Sequence, residues 1–356
     1  MGQQDQLRLG LIGLGMIAER HIENFQELER SVVTWVADIN EVVLARVANQ
    51  YKIKNSTTHY QELLADPAVD AVVICTPPST HCQIFLDTVQ AQKHILLEKP
   101  MATDRQDMKK MLQAAAAHPE LLICDCSCRH SRLQPKFKFV KEIIDSGELG
   151  EIYFIHHNFV RQQSRGGIEY HPQAKWFLNK SIAGGGPLLD WGVYDLSFHL
   201  GLLSDKPVLT HVRSLAVNHL DQIDHQAPVF DVEEHGVSFL EFDTGLRYYW
   251  ERASNAHNEA PSETRIYGTK GGLKFSFLSW DSELVELFYV EDEGRGKATR
   301  RELRVDMSDH KGDVAALDQH FIEVVLDGVE PAMPLPLAAK HLDIIFQIYE
   351  AAGWAS

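Results

Sequence analysis

Leu7-Arg8-Leu9-Gly10-Leu11-Ile12-Gly13-Leu14-Gly15-Met16-Ile17-Ala18 decides the fold of this chain. Its first half is a short apolar run that reads as a strand, and its second half is a glycine turn. The segment that follows places Ala18, Ile22, Phe25 and Leu28 on one face at helical spacing. Gly13 to Ala18 fits the dinucleotide pattern in its G-x-G-x-x-A form. In that pattern the first glycine makes the tight turn, and the second leaves no side chain between backbone and pyrophosphate. The small third residue lets the helix pack on the strand, and the helix N-terminus faces the phosphates. Gly13, Gly15, Met16, Ile17 and Ala18 are therefore candidate cofactor contacts. Glycine turns between strand and helix are common, and Asp38 makes this one specific. It ends the next apolar run, Val32 to Ala37. A carboxylate there would accept hydrogen bonds from the adenosine ribose and repel a 2′-phosphate, so NAD is expected in preference to NADP.

Outward from this unit the same grammar repeats. A helix runs through Leu44 and Val47, and the strand Ala71-Val72-Val73-Ile74 breaks at Thr76-Pro77-Pro78. Another strand is His94-Ile95-Leu96-Leu97. Thr103 with Gln106 predicts a capping box for a helix bearing Met108, Met111, Leu112 and Ala115, and Leu121 to Cys126 reads as a last strand. Short apolar runs separated by amphipathic helices predict a doubly wound parallel sheet, a Rossmann domain. From about residue 150 the pattern changes. Ile152 to Val160, Val237 to Phe242 and Leu246 to Trp250 are strand-like, with Asp243-Thr244-Gly245 as a hairpin turn. Crossover helices are mostly missing, which predicts an α+β domain with a large, mostly antiparallel open sheet. Two helices end the chain, one through Val314, Leu317, Phe321 and Val324 to Gly328, one through Leu342, Ile345 and Tyr349. The expected division is 1–128 for dinucleotide binding and 129–356 for substrate binding and oligomerisation, with the C-terminal helix packing back on the first domain.

Fifty acidic residues against 34 basic ones give a formal charge of −16. That argues against nucleic acid or an anionic membrane as the main partner. The start, Met1-Gly2-Gln3-Gln4-Asp5-Gln6, lacks the apolar core of a signal peptide, and no apolar run approaches a membrane span. Five cysteines, an odd number, suit a reducing cytoplasm better than a disulfide framework.

Open α/β sheets place ligands at the carboxyl ends of their strands. Glu98-Lys99-Pro100 closes the strand at Leu97, so Glu98 and Lys99 are candidate cofactor contacts, and Lys99 is expected to point into the crevice that holds the cofactor. Thr76 and Pro77 end a neighbouring strand and are expected to line the ribose and nicotinamide side. His81, in the following helix, is the weakest member of that group.

With these motifs the chain resembles the Gfo/Idh/MocA oxidoreductases over nearly its whole length. The resemblance is carried by the Gly13 turn, Thr76-Pro77 with His81, and Glu98-Lys99-Pro100. Further on it is carried by Gly147-Glu148-Leu149-Gly150-Glu151-Ile152, by Gly184-Gly185-Gly186-Pro187-Leu188-Leu189-Asp190-Trp191-Gly192, and by Ile266-Tyr267-Gly268-Thr269-Lys270-Gly271. It implies hydride transfer between a nicotinamide cofactor and a hydroxyl-bearing carbon of a sugar, cyclic polyol or related compound. It also implies a homodimer or homotetramer built on the second domain's sheet. Lys99 matches the family's active-site lysine, and Asp190 matches the aspartate that touches the substrate. Many members carry histidine four residues after that aspartate; here the position is Tyr194, as in the tyrosine-containing members. The later family aspartate is replaced by Ser197, with Asp195 beside the tyrosine, which points away from an inositol dehydrogenase.

The chemistry suits these residues. Oxidising an alcohol removes a hydride from carbon and a proton from oxygen. A phenol with a pKa of about 10 is a poor base at neutral pH, but a nearby ammonium favours its charged form. Lys99 is the candidate for that charge, Tyr194 for the acid–base group and Asp190 for orienting the substrate, the last two sharing a helix face. The resemblance leaves two other classes open: an NAD-dependent glycosidase working through transient oxidation, and a non-catalytic sugar or nucleotide sensor.

Other clusters carry less. Cys124, Cys126 and Cys128 are expected to form one strand-face stripe of buried thiols rather than a tetrahedral metal cage. No histidine spacing matches a metal motif, so no metal is expected. The polar stretch from Arg161 to Pro172 is a candidate substrate loop, with Arg161, Arg165 and His171 as hydroxyl or carboxylate ligands and Trp176 as an apolar wall.

Overall fold

Six strands of the first unit follow the sequence runs closely: β1 (Leu7–Ile12), β2 (Ser31–Ala37), β3 (Asn55–Thr57), β4 (Ala71–Ile74), β5 (His94–Leu97) and β6 (Ile123–Asp125). In this computed structural model, which describes residues 6–218, 229–291 and 296–354, they form one parallel sheet in the order β3-β2-β1-β4-β5-β6. Met1 to Asp5, most of the polar start, lie outside the described residues. The crossovers are α1 (Met16–Glu27), α2 (Glu41–Gln50), α3 (Tyr60–Ala65), α4 (His81–Gln90) and α5 (Arg105–Ala117). Leu9, Leu11, Val72, Val73 and Leu96 are fully buried, as strands covered on both faces require. The strand order reverses between β1 and β4, which is where an open sheet leaves a crevice.

Three local expectations need correcting here. The cap of α5 is Asp104, whose carboxylate accepts the Asp107 N–H at 2.9 Å, rather than Thr103. Aspartate at this position satisfies an orphan helix donor one residue later than the capping box had it. β6 stops at Asp125, and Cys126–Cys128 turn in a 3₁₀ helix, so the three buried thiols do not form one strand stripe. Burial pushes the Cys124 and Cys126 thiols up, which keeps them unreactive. Finally, the compact units divide at Arg129/His130, but Lys311–Lys340 cluster with the first unit. Residues 129–356 are thus not one unbroken unit. The physical reason is α10 (Asp313–Asp327), which packs against α1 and is tied by Arg30 to Asp327 at 2.8 and 2.9 Å. Downstream, the Asp125 N–H donates to the Met333 carbonyl at 3.1 Å.

The second unit comprises residues 130–310 and the chain from His341 onward. Its helices are α6 (Pro135–Asp145), α7 (Lys180–Ala183), α8 (Pro187–Asp190), α9 (Gly192–Leu202) and the end of α11 (Leu335–Ala351). Its strands are β7 (Ile152–Val160), β8 (Leu209–Val217), β9 (His235–Phe242), β10 (Arg247–Ala253), β11 (Ala260–Gly268), β12 (Gly271–Phe275), β13 (Leu284–Val290) and β14 (Ala298–Arg304). They make one sheet in the order β14-β13-β12-β11-β7-β10-β9-β8, antiparallel throughout except for the β7/β10 pair. α8 packs on β9 and β10, and every residue of α9 is buried. On the sheet, Phe154, His156, Tyr249 and Tyr267 form a run of neighbouring rings. Around them lie cross-strand ion pairs such as Arg247–Glu241 at 3.1 Å and Lys274–Glu286 at 3.2 Å.

Candidate active site

The cofactor half begins at the switch point. Gly13 has φ +84°, and a Cβ there would lie 2.8 Å from the Thr76 nitrogen, so only glycine lets the two strand-end loops approach. Gly15 caps α1 in an extended conformation, and a Cβ on it would meet nothing within 4 Å. The helix N-terminus therefore opens onto unfilled space, with Met16 58% exposed beside it. Ala18 is fully buried, where its small side chain lets the helix pack on the sheet. Asp38 does not cap α2. Asn40 does, accepting from Val42 and Val43, while Asp38 accepts the Leu14 N–H at 2.7 Å and the Asn40 N–H at 2.8 Å. One N–H on each oxygen leaves acceptor capacity for a ribose diol. Open space over an oriented helix end, next to a carboxylate, fits a dinucleotide without a 2′-phosphate.

His81 is fully buried and spans two loops. Its Nε2 lies 2.8 Å from the Thr76 carbonyl and its Nδ1 3.0 Å from the carbonyl of Pro100, which follows a cis peptide bond at Lys99. It holds the Thr76-Pro77 turn against the Lys99 loop. Glu98 faces inward. It receives Arg129, His21 Nε2 at 3.3 Å and the Lys99 N–H at 3.1 Å. Burial opposes its charge, but Arg129 and His21 hold its pKa well below the usual carboxylate range. On its other side His21 Nδ1 meets Asp318 of α10 at 2.5 Å. Burial favours the neutral imidazole, yet Asp318 and Glu98 raise His21 to about 9. The Cys126 sulfur approaches this cluster, the ligand-type atoms of His21, Glu98 and Cys126 lying within 4.8 Å of one another. The Arg129 guanidinium already supplies the cation beside Glu98.

The second unit holds a cavity of about 300 Å³, the candidate substrate site. Asp190, Arg165, Glu233 and Glu234 give its wall charge, and His130, Trp191 and Trp280 give it aromatic surface. The His130 ring stacks on Trp191 with centroids 5.5 Å apart and meets Tyr194 at 4.8 Å and Trp280 at 5.2 Å, both edge-on. Tyr194 is 1% exposed, its ring set against those of His130 and Trp191. Glu233 accepts from the Gly186 N–H at 2.7 Å, the Leu188 N–H at 2.9 Å and the Tyr349 hydroxyl at 2.9 Å. It therefore anchors the start of α8, and burial pushes its pKa up to about 7 despite those donors.

Asp190 and Tyr194 do not share one helix, contrary to the spacing. α8 ends at Asp190, Trp191 caps it, and the Tyr194 N–H bonds the Trp191 carbonyl at 2.9 Å instead of continuing the i→i−4 ladder. Asp195 is no reactive neighbour of Tyr194 either. It is fully buried, receives Arg252 twice at 2.7 Å and accepts the Trp250 indole N–H at 2.9 Å. Of the four substrate-loop candidates, Arg165 lines the cavity, ion-paired with Glu169 and Glu234. Arg161, His171 and Trp176 are not part of its wall among the described residues. Arg161 lies over the Phe159 ring, His171 sits against Tyr170 close enough to Asp190 to feel its charge, and Trp176 stacks on Phe177. Residues the sequence reading missed are His130, Glu233, Glu234 and Trp280. They come from stretches far apart in the chain and carry no local motif.

Fold and site together define a nicotinamide-dependent oxidoreductase of two units. Residues 7–125 match the oxidoreductase family described by its NAD-binding Rossmann fold, and residues 137–274 match the GFO/IDH/MocA C-terminal domain. The chain belongs to the Gfo/Idh/MocA family. It is similar to the scyllo-inositol 2-dehydrogenase (NAD(+)) of Bacillus subtilis, at 25% identity over 96% of this chain and 92% of that protein. It is likewise similar to the levoglucosan dehydrogenase of Pseudarthrobacter phenanthrenivorans, at 25% identity over 82% and 79%. A solved levoglucosan dehydrogenase in complex with NADH and levoglucosan superposes with a TM-score of 0.82 at 20% identity, covering 99% of this chain and 98% of that one. At that identity the superposition speaks to the fold. No helix among the described residues is long and apolar enough to cross a membrane.

Proposed function

We propose that this protein oxidises a secondary or hemiacetal hydroxyl of a sugar or cyclic polyol, or runs the same step in reverse, with NAD as partner. The observation that carries the reading is the cavity. Asp190 stands on a wall of aromatic rings and carboxylates, suited to a ring with apolar C–H faces and a hydroxyl edge. The names of the relatives, dehydrogenases of levoglucosan and scyllo-inositol, support it.

Gly13, Gly15, Met16, Ile17 and Asp38 would hold the dinucleotide, and Thr76, Pro77 and Lys99 its nicotinamide side. Bound NAD supplies the hydride acceptor. Tyr194 takes the hydroxyl proton as the carbonyl forms, and the Lys99 ammonium stabilises the resulting phenolate. Asp190 accepts from a neighbouring hydroxyl and orients the ring. The first unit thus serves dinucleotide binding and the second substrate binding. The sheet of the second unit, with Leu215 and Val290 exposed on it, serves a homodimer or homotetramer in the cytoplasm.

A panel of aldoses, polyols and anhydrosugars, assayed by reduced-cofactor absorbance, tests the reading. Net NADH formation from at least one of them is expected. Sugar release without lasting NADH would favour the glycosidase alternative, and no chemistry from any of them would favour a sensor.

A further inference from the structure

Glu233 is a cavity-wall residue whose carboxylate is turned to main chain. Its Oε2 accepts the Gly186 N–H, and its Oε1 accepts the Leu188 N–H and the Tyr349 hydroxyl. Gly186 has no side chain with which to cap α8, so a carboxylate 47 positions along the chain takes that task. The Gly186 carbonyl completes the link by accepting the Asp190 N–H at 2.9 Å. Asp190 therefore stands one helical turn from a buried group that fixes where the turn starts. A single turn orders several residues for very few hydrogen bonds, so α8 depends on what surrounds it. Gly185 and Gly186 make the approach possible. A Cβ on Gly185 would run into the Tyr349 hydroxyl, and one on Gly186 into the Glu233 carbonyl oxygen. Glu233 and Tyr349 are both buried, and a buried donor left without its acceptor costs more than the bond itself is worth.

We infer that Glu233, with Tyr349 behind it, is a positioning residue for the reaction, acting through Gly186 to set the Asp190 carboxylate for a substrate hydroxyl. The inference rests on the role given to Asp190 above, and Glu233 itself handles no reacting atom. Glu233→Gln keeps the volume of the side chain but loses one acceptor oxygen. Whichever way the amide turns, its NH2 faces a main-chain N–H of the first turn, that of Gly186 or of Leu188. The turn must then shift, and Asp190 shifts with it.

Two measurements on the full chain test it. In the first, amide hydrogen exchange is read at Gly186, Leu188 and Asp190. Glu233→Gln should speed it by about tenfold or more while the amides of α9 keep their protection. Tyr349→Phe, the milder change, removes one bond to Glu233 and should act in the same direction by a smaller factor. In the second, levoglucosan and scyllo-inositol are titrated calorimetrically into the chain loaded with NADH. Glu233→Gln should weaken binding by about tenfold in wild type and by less than about twofold in an Asp190→Asn background, because a residue that works through Asp190 loses its effect with it. Unchanged exchange at Asp190 in both variants, or equal affinity losses in the two backgrounds, overturns the positioning role. Faster exchange that spreads equally through α9 also overturns it, since Glu233 would then serve stability in general. Sugars that bind no form of the chain, with faster exchange confined to α8, refute the substrate reading and support the hold of Glu233 on Asp190.

Discussion

Two buried charge networks, one in each unit, hold different things. In the first unit Arg129, Glu98, His21 and Asp318 form a chain that ends on main chain, the Lys99 N–H donating to Glu98. In the second unit Asp195 receives Arg252 and the Trp250 indole, and the Arg252 guanidinium lies 5.2 Å over the Trp191 ring. That network ends on a side chain of the cavity wall. The first fixes the backbone at Lys99; the second fixes a surface. A site of strand ends needs its loops held, whereas a site enclosed by side chains needs its walls held.

The difference is sharpest in kinetics. Lys99→Met removes the ammonium and keeps the backbone N–H that bonds Glu98, so turnover should fall by about 10²–10⁴ while NAD affinity changes little. Tyr194→Phe should lose a similar factor, with its ring still packed against His130 and Trp191. Stopped-flow turnover beside calorimetric NAD titration separates the two quantities. Near-normal turnover in Tyr194→Phe would make the tyrosine a packing residue and pass proton transfer to Lys99.

Next in size is the second network. Arg252→Met leaves Asp195 buried with a charge that the Trp250 indole N–H only partly answers. Breaking such a pair costs about 3–5 kcal/mol, far more than a surface pair. Urea denaturation should show that loss. A loss below about 1 kcal/mol would mean the wall is held by packing alone, and the contrast between the units would fail.

These two halves also differ in how far the sequence announced them. The first unit was legible because each of its candidate cofactor positions is local. Gly13, Asp38, Thr76 and Lys99 each follow their own apolar strand, and the parallel order brings strand ends together without further information. What stayed hidden there was α10, since nothing in Leu317, Phe321 and Val324 says which surface they cover. The second unit's sheet was legible from alternation and one hairpin turn, but its cavity was not. Glu233-Glu234 reads as a solvated acidic pair, and only the fold buries it. Gly192 was the one local hint that Asp190 and Tyr194 belong to separate helical turns.

A pH titration probes the first network with a smaller effect. His21 is raised from its ordinary value to about 9, so the folded chain keeps a proton that the unfolded chain releases. The stabilisation is fully present below about pH 6.5 and is lost as pH rises through 9, a change on the order of 3 kcal/mol. Unfolding free energies measured on both sides of that window should decline with rising pH in wild type. Asp318→Asn removes the partner that holds the proton and should flatten the decline. An equal slope in both proteins would show that His21 is neutral when buried.

The smallest expected effect falls on Asp38, where the first unit relies on a side chain as well as a backbone. Its carboxylate accepts the Leu14 and Asn40 N–H groups and keeps further acceptor capacity, which the proposal assigns to a ribose. Asp38→Ser keeps at most one of those bonds and removes the negative charge. NAD affinity should fall about tenfold, roughly 1.4 kcal/mol, while NADP affinity holds or rises because the repulsion of its 2′-phosphate is gone. Calorimetry with both cofactors on both proteins reads the gap and its narrowing. A wild-type preference for NADP would sink the assignment of Asp38. An unchanged NAD affinity in the serine variant would leave Asp38 only the task of tying the glycine turn to the end of β2, and the first unit would then hold its cofactor by backbone alone.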